Sequence, residues 1–262
     1  MIDPLVRSHI EAVLGSVAAE HGVRVLYAVE SGSRAWGFAS PDSDYDVRFI
    51  YAHPRDWYLG LRERRDVIER PLDEKLVDLG GWDLRKALRL LLKSNPVLYE
   101  WLVSPIVYTD GQLRGELKQM FEAHASARTL SFHYWSIARS QWSKEIANRA
   151  EIKLKKYFYV IRPLLSLAWV AEHGSPPSMA IGDLVRQVAI PDTARAALDA
   201  LLEQKRSAPE LGLRPCVPAL DAWIIGELDR LDPGRLDLDG APKQNMTEMA
   251  DALFRRVIGV ES

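Results

Sequence analysis

The chain has 262 residues, of which 47% are hydrophobic and 27% charged, and its net charge is −2. At roughly 150 residues per domain that is one large or two modest domains, long enough to bury a core without a disulfide or metal staple. The composition points to a soluble globular protein and away from a disordered chain, a fibre or a membrane protein; its longest apolar runs, such as Leu167–Val170, fall far short of the roughly 18 residues of a membrane helix. The one cysteine, Cys216, allows no internal disulfide, and Asp3 and Glu11 come too early for a secretory signal, so the expected location is the cytoplasm. The near-neutral charge argues against a surface coated in basic residues for nucleic acid.

Asp3-Pro4 predicts a helix N-cap with proline in the first turn. Ile10, Val13, Leu14 and Val17 then recur at helical spacing, and His21-Gly22 closes the helix. Val23–Val29 reads as a buried strand running into the turn ESGSRAWG. A second strand is expected over Tyr45–Tyr51, and a third and fourth at Asp66–Glu69 and Lys75–Leu79. Gly80-Gly81 reads as a break, after which a helix begins at Trp82. Asn95-Pro96 stops that helix and starts another. Beyond Asp110-Gly111 the pattern predicts helices alone, at about 112–125, 128–149, 151–173, 191–206, 217–231 and 244–258. The loop Leu231–Lys243 is rich in Asp, Gly and Pro. The fold class expected is α+β: a small mixed β-sheet with flanking helices over residues 1–110, followed by an all-α domain over 111–262.

The informative stretch is GSRAWGFASPDSDYDVR, residues 32–48. Gly32-Ser33 follows a strand and opens a helix, where glycine permits close backbone approach and free N–H groups can cradle an anion. Asp44 and Asp46 stand two apart at the start of the next strand, so their side chains share a face. Two carboxylates aimed together call for a cation, and hard oxygen ligands suit Mg²⁺, which completes its shell with phosphate and water. Asp-x-Asp alone is an ordinary solvated turn; strand, Gly-Ser, helix start and a strand opening on Asp-x-Asp together point to nucleotide chemistry.

In these residues the sequence resembles the DNA polymerase β-like nucleotidyltransferase superfamily. Within it, the stretches ESGSRAWGF, SDYDVRF, DLGGWDLRKAL, SNPVLYEWLVSPIVY and KKYFYVIRPLL resemble a bacterial and phage family associated with RNA repair. The resemblance spans about residues 27–170. It implies that the 1–110 domain is catalytic, that Gly32 and Ser33 hold the phosphates of an NTP such as ATP, and that Asp44 and Asp46 ligate Mg²⁺ or Mn²⁺. It also implies a third carboxylate on a later strand, for which Asp78 is the best placed, ahead of Asp73, Glu74 and Asp83. Two metals would then stabilise the attacking and leaving oxygens together. Arg34, next to Gly-Ser, is within reach of phosphate. Arg48, where many superfamily members carry an apolar residue, either contacts triphosphate or pairs with Glu30; for both arginines the plain alternative is a structural ion pair.

Residues 128–173 carry a net charge of +5, leaving −7 on the rest, and they interleave eight basic residues with eight aromatics. Such a mixture suits phosphate and base contacts, or else ordinary amphipathic helices. Lys155, Tyr159 and Arg162 form a polar stripe at helical spacing. Superfamily members take a triphosphate-contacting lysine and a base-stacking aromatic from such a helical domain, which implies Lys155 or Lys156 with Tyr159, and Arg162 beside them, as nucleotide-binding residues. The expected activity is metal-dependent transfer of an NMP from an NTP to an acceptor hydroxyl, with an RNA 3′ end implied by the resemblance and pyrophosphate released. The rivals are transfer to a protein or small molecule, and a non-catalytic nucleotide sensor.

Overall fold

A computed structural model describes residues 2–207, 212–238, 240 and 245–260. Two compact units divide the chain. The first comprises residues 1–35, 44–124 and 242–262, and the second 36–43 and 125–241. Among the described residues no helix is long and apolar enough to cross a membrane.

The first unit opens with α1 (Pro4–His21). Asp3 caps it by accepting from Leu5 N at 2.8 Å, and Gly22 ends it in the left-handed region at φ 60°. Then follow β1 (Arg24–Glu30), α2 (Gly32–Trp36), β2 (Tyr45–Ala52), α3 (Arg55–Tyr58), β3 (Val67–Arg70), β4 (Val77–Asp83), α4 (Leu84–Leu92), α5 (Pro96–Leu102), β5 (Val107–Thr109) and α6 (Gln112–His124). The strands form one mixed sheet in the order β3-β4-β2-β1-β5. β2 and β4 are its parallel pair; β1–β2, β1–β5 and β3–β4 are antiparallel. Alternation along β2 sends Val47, Phe49 and Tyr51 into a core shared with Ile10, Leu14 and Val17 of α1 and Leu79 of β4. The helices α4, α5 and α6 pack together, with Trp82 stacked on Trp101 at 3.8 Å.

Two expectations are corrected in this unit. Gly80-Gly81 does not break β4: that strand pairs with β2 and β3 on its two sides through both glycines, and the ladder overrides their low strand propensity. Gly81 lies against the Phe49 ring, where a Cβ would stand 2.2 Å from Phe49 Cζ. The helix therefore starts at Leu84 rather than Trp82, with Asp83 as its cap. The sequence draws a domain boundary at 110, whereas α6 packs on α4 and α5 and the first unit runs to His124.

The second unit is built on α7 (Ala127–Gln141) and α8 (Lys155–His173), joined by a π-turn over Trp142–Ile146. α9 (Ile181–Gln187), α10 (Asp192–Ser207) and α11 (Pro218–Arg230) complete its helices among the described residues. It is not all-α. β6 (Glu151–Lys153) and β7 (Leu213–Pro215) pair antiparallel, so the helix expected from 151 begins only at Lys155. Three-residue strands are too short to carry a period-two signal. The segment Trp36–Ser43, which joins Gly-Ser to Asp-x-Asp, belongs to this unit: Phe38 stacks on Phe158 at 4.5 Å and Lys205 Nζ donates to Ser40 Oγ at 2.9 Å. α12 (Thr247–Ile258) returns to the first unit. Gln244, the expected start of that helix, and part of the loop 231–243 lie outside the described residues.

Candidate active site

β1 delivers its last residue, Glu30, separated by Ser31 alone from Gly32-Ser33, and β2 opens on Tyr45-Asp46. Ser31 N donates to Asp46 O at 2.8 Å and Asp46 N donates to Glu30 Oε1 at 3.0 Å, which locks the Gly-Ser turn onto the start of β2. Gly32 lies at φ +59°, and a Cβ there would stand 1.9 Å from Asp46 Oδ2. Only glycine satisfies both the left-handed backbone and the contact with that carboxylate.

The parallel register places Asp46 opposite Asp78, which puts both side chains on one face of the sheet. Arg48, two residues along β2, shares that face. Its Nη2 donates to Asp46 Oδ1 at 2.9 Å and to Asp78 Oδ2 at 2.7 Å. Its Nη1 donates to Asp78 O at 3.0 Å and to Val47 O at 3.1 Å. The guanidinium thus stands where two convergent carboxylates call for a positive charge. Burial pushes the Asp46 carboxyl above its ordinary pKa; Arg48 opposes this, while Asp44 and Asp78 add to it.

Arg48 does not pair with Glu30. Glu30 is opposite Val47 in the β1–β2 register and so lies on the buried face, away from Arg48. Fully buried there, Glu30 accepts from Tyr108 Oη at 2.5 Å. Burial raises its pKa to about 7, against the pull of the Tyr108 and Asp46 hydrogen bonds. This clamp behind Asp46 is a part of the site that the sequence does not announce. The available signal is a glutamate closing an apolar strand, with one residue between it and Gly-Ser.

Asp44 precedes β2 and is exposed. Arg34 Nε donates to the Asp44 carbonyl at 3.0 Å, and the Arg34 guanidinium stacks on Tyr45 at 3.8 Å from the ring centroid. Ser33 is half-buried beside it on α2. The other acids weighed for the third position have structural tasks. Asp73 accepts from Lys75 N and Val77 N in the turn before β4 and contacts His9 Nε2 at 2.7 Å. Asp83 caps α4 through Arg85 N and accepts from Tyr58 Oη at 2.6 Å. Glu74 is exposed in the turn. Among the described residues no three of His, Cys, Asp and Glu are gathered as a ready-made metal site.

In the second unit the polar stripe of α8 divides. Lys156 pairs with Glu145 at 3.2 Å and lies 5.6 Å from the Tyr159 centroid, and Lys155 and Tyr159 are half-buried. Arg162 is buried: its guanidinium donates twice to Met179 O, at 3.3 and 3.2 Å, and covers Trp36 at 4.5 Å. A buried guanidinium must satisfy its donors within the fold, and here a carbonyl and a ring do so. Tyr134, Tyr157 and Phe158 are core residues, and of the basic segment's aromatics Phe132 is the most exposed at 42%.

Comparison with known proteins shows the family of the chain. Residues 6–256 match the model of the RNA repair pathway DNA polymerase beta family. The chain is 41% identical over 250 residues to the uncharacterized protein YcgL of Bacillus subtilis (strain 168), covering 94% of each. A crystal structure of a nucleotidyltransferase-like protein from Exiguobacterium sibiricum 255-15 matches at a TM-score of 0.32 and 16% identity, covering 85% of this chain and 73% of that one. By the family match over nearly its whole length, the chain belongs to the RNA repair pathway DNA polymerase beta family and is thereby a nucleotidyltransferase of the polymerase β type.

Proposed function

We propose that the protein transfers an NMP from an NTP to an acceptor hydroxyl, releasing pyrophosphate, and that the acceptor is the 3′ end of an RNA. The observation that carries this reading is the pairing of Asp46 with Asp78 across β2 and β4, with the Gly32 backbone held against Asp46. The donor set is carboxylate oxygen, the chemistry that holds Mg²⁺ or Mn²⁺, and Asp44, Asp46 and Asp78 are the residues that would hold it. When bound, a divalent cation would neutralise charge on the triphosphate and favour loss of the acceptor proton.

The protein's own residues do the rest by position and charge, the main contributions in phosphoryl transfer. Gly32 and Ser33 take the phosphates through backbone N–H groups and the serine hydroxyl. Arg34, on the same short helix, adds a fork of donors suited to phosphate. Glu30 holds Asp46 in register from behind. Arg48 must give up at least one of its two carboxylates for a cation to share them, so its guanidinium is freed toward the triphosphate as the site fills.

The test is incubation of the protein with each α-labelled NTP, Mg²⁺ and two RNAs, one ending in a 3′ hydroxyl and one in a 3′ phosphate. Label entering only the 3′-hydroxyl RNA supports the reading. Label entering the protein or a small molecule, or no label despite NTP binding, refutes the RNA acceptor.

A further inference from the structure

At the far end of the parallel strands from Asp46 and Asp78 lies a second polar feature. Asp83 is five residues beyond Asp78 on β4, about 16 Å at roughly 3.3 Å per residue. Around it α3, the loop after it and α4 enclose a cavity of about 180 Å³, lined by Trp57, Tyr58, Gly60–Arg64, Asp66, Asp83, Arg85, Lys86 and Arg89. Five of these are cations and three are acids.

Two of the acids are already committed. Asp66 pairs with Lys86 at 3.0 Å. Asp83 caps α4 and holds Tyr58. Against the remaining exposed Glu63 stand Arg62, Arg64, Arg85 and Arg89. Arg62 and Arg89 are exposed and have no carboxylate partner among the described residues. Arg64 lies over Trp57 at 5.5 Å and Arg85 over Tyr58 at 4.7 Å, so aromatic faces hold these guanidinia in place. Trp57 is itself fixed by stacking on His53 at 3.9 Å. Arg64 and Arg85 thus come pre-positioned from two elements, which lowers the entropy lost on meeting an anion.

We propose that this cleft is a binding site for the phosphodiester backbone of a nucleic-acid strand, separate from the carboxylate pair. The dimensions favour a chain over a free nucleotide. A pocket that engulfs a small organic ligand runs to about 300–1,000 Å³, whereas this one has room for single phosphate groups of a strand lying across it. The arginine forks match phosphate oxygens and read no base. The inference concerns binding alone and is tested without NTP or metal, so it stands or falls apart from the proposed reaction.

The probe is a fluorescein-labelled 20-nucleotide single-stranded RNA, with a DNA of the same sequence, followed by anisotropy across a salt series in chelator. The variants are the triple Arg62→Ser/Arg64→Ser/Arg89→Ser, the single Arg62→Glu, and Arg65→Ser as a neighbour outside the cleft; circular dichroism and the melting temperature check the fold. The triple should bind RNA at least tenfold more weakly and flatten the log K against log salt slope by about 2, at about 0.7 per lost single-strand contact. Arg62→Glu, a change at one exposed position, should weaken binding severalfold, and Arg65→Ser should leave the slope unchanged. A parallel loss with the DNA assigns the site to either phosphodiester chain, and a loss confined to RNA assigns it to RNA; both support it. Unchanged affinity and slope in the triple and in Arg62→Glu overturn the proposal. So does an equal effect of Arg65→Ser, or a triple variant that loses competition by ATP or inorganic phosphate while keeping RNA.

Discussion

Replacing Arg48 with methionine keeps the aliphatic stem and removes the charge between Asp46 and Asp78. Each charge-assisted hydrogen bond contributes about 1.5–3 kcal/mol, and Arg48 makes two of them to carboxylates. The side chains are 22% exposed for Arg48, 23% for Asp46 and 39% for Asp78, so water compensates in part. A net loss of about 2–3 kcal/mol follows, below the roughly 3–5 kcal/mol of breaking a fully buried pair. For a chain of this size that is about 4–12 °C in melting temperature. Differential scanning fluorimetry in EDTA reads the loss directly. With Arg48 gone, the two carboxylates face each other without a counter-charge, so Mg²⁺ or Mn²⁺ should restore more stability to the variant than to the wild type. In an Asp78→Asn background the cost of Arg48→Met should shrink, because one of its partners is already neutral. An unchanged melting temperature in EDTA would refute the bridging role. Stabilisation by Mn²⁺ that is smaller in Arg48→Met than in wild type would refute the competition.

Other changes test the surroundings of that pair. Gly32→Ala should lower stability by more than the roughly 1–2 kcal/mol of a left-handed alanine, because its Cβ also meets Asp46 Oδ2, and should abolish nucleotide transfer; a stable, active variant would contradict the close approach. Glu30 has a raised folded pKa of about 7, so the folded state holds its proton more tightly than the unfolded chain does. Its contribution is therefore most favourable below the ordinary glutamate range and is lost as pH rises toward 7. Relative to Glu30→Gln, wild-type stability should fall by on the order of 3 kcal/mol between pH 4 and 8, read by urea melts; parallel pH profiles would count against it. Asp83→Ala should cost about 1–2 kcal/mol, as a lost helix cap that also frees Tyr58, with NMP transfer retained; loss of transfer in a folded variant would mean that Asp83 and not Asp78 serves the site.

Local chemistry made much of the fold legible. Asp3 and Gly22 bound α1, and Asn95 caps α5 through Val97 N and Leu98 N, because such caps act within a few residues. The strands around the site were legible from their apolar runs. The full length of β4 is not legible locally, because Gly80 and Gly81 are held in the strand by neighbours on β2 and β3 that local sequence does not show. β6 and β7 pair residues 60 to 64 positions apart, and each is too short to carry a period. Within the site, the i, i+2 spacing announced that Arg48 shares the face of Asp46. That Asp78 lies opposite Asp46, and so captures the same guanidinium, depends on the β2–β4 register. Arg162 illustrates the reverse limit: helical spacing set it on a polar stripe, and only the packing of Met179 and Trp36 reveals that it is interior.

The proposed nucleotide transfer rests on Asp46 and Asp78 together. The most direct measurement is pyrophosphate release from NTP with Mg²⁺ and a 3′-hydroxyl RNA, compared for wild type, Asp46→Asn and Asp78→Asn. Both variants keep the shape of the site and one hydrogen-bond acceptor for Arg48. The wild type should release one pyrophosphate per nucleotide added, and each variant should lose at least a thousandfold in rate, with melting temperatures within a few degrees of the parent. Pyrophosphate release at near wild-type rates in either folded variant would contradict it.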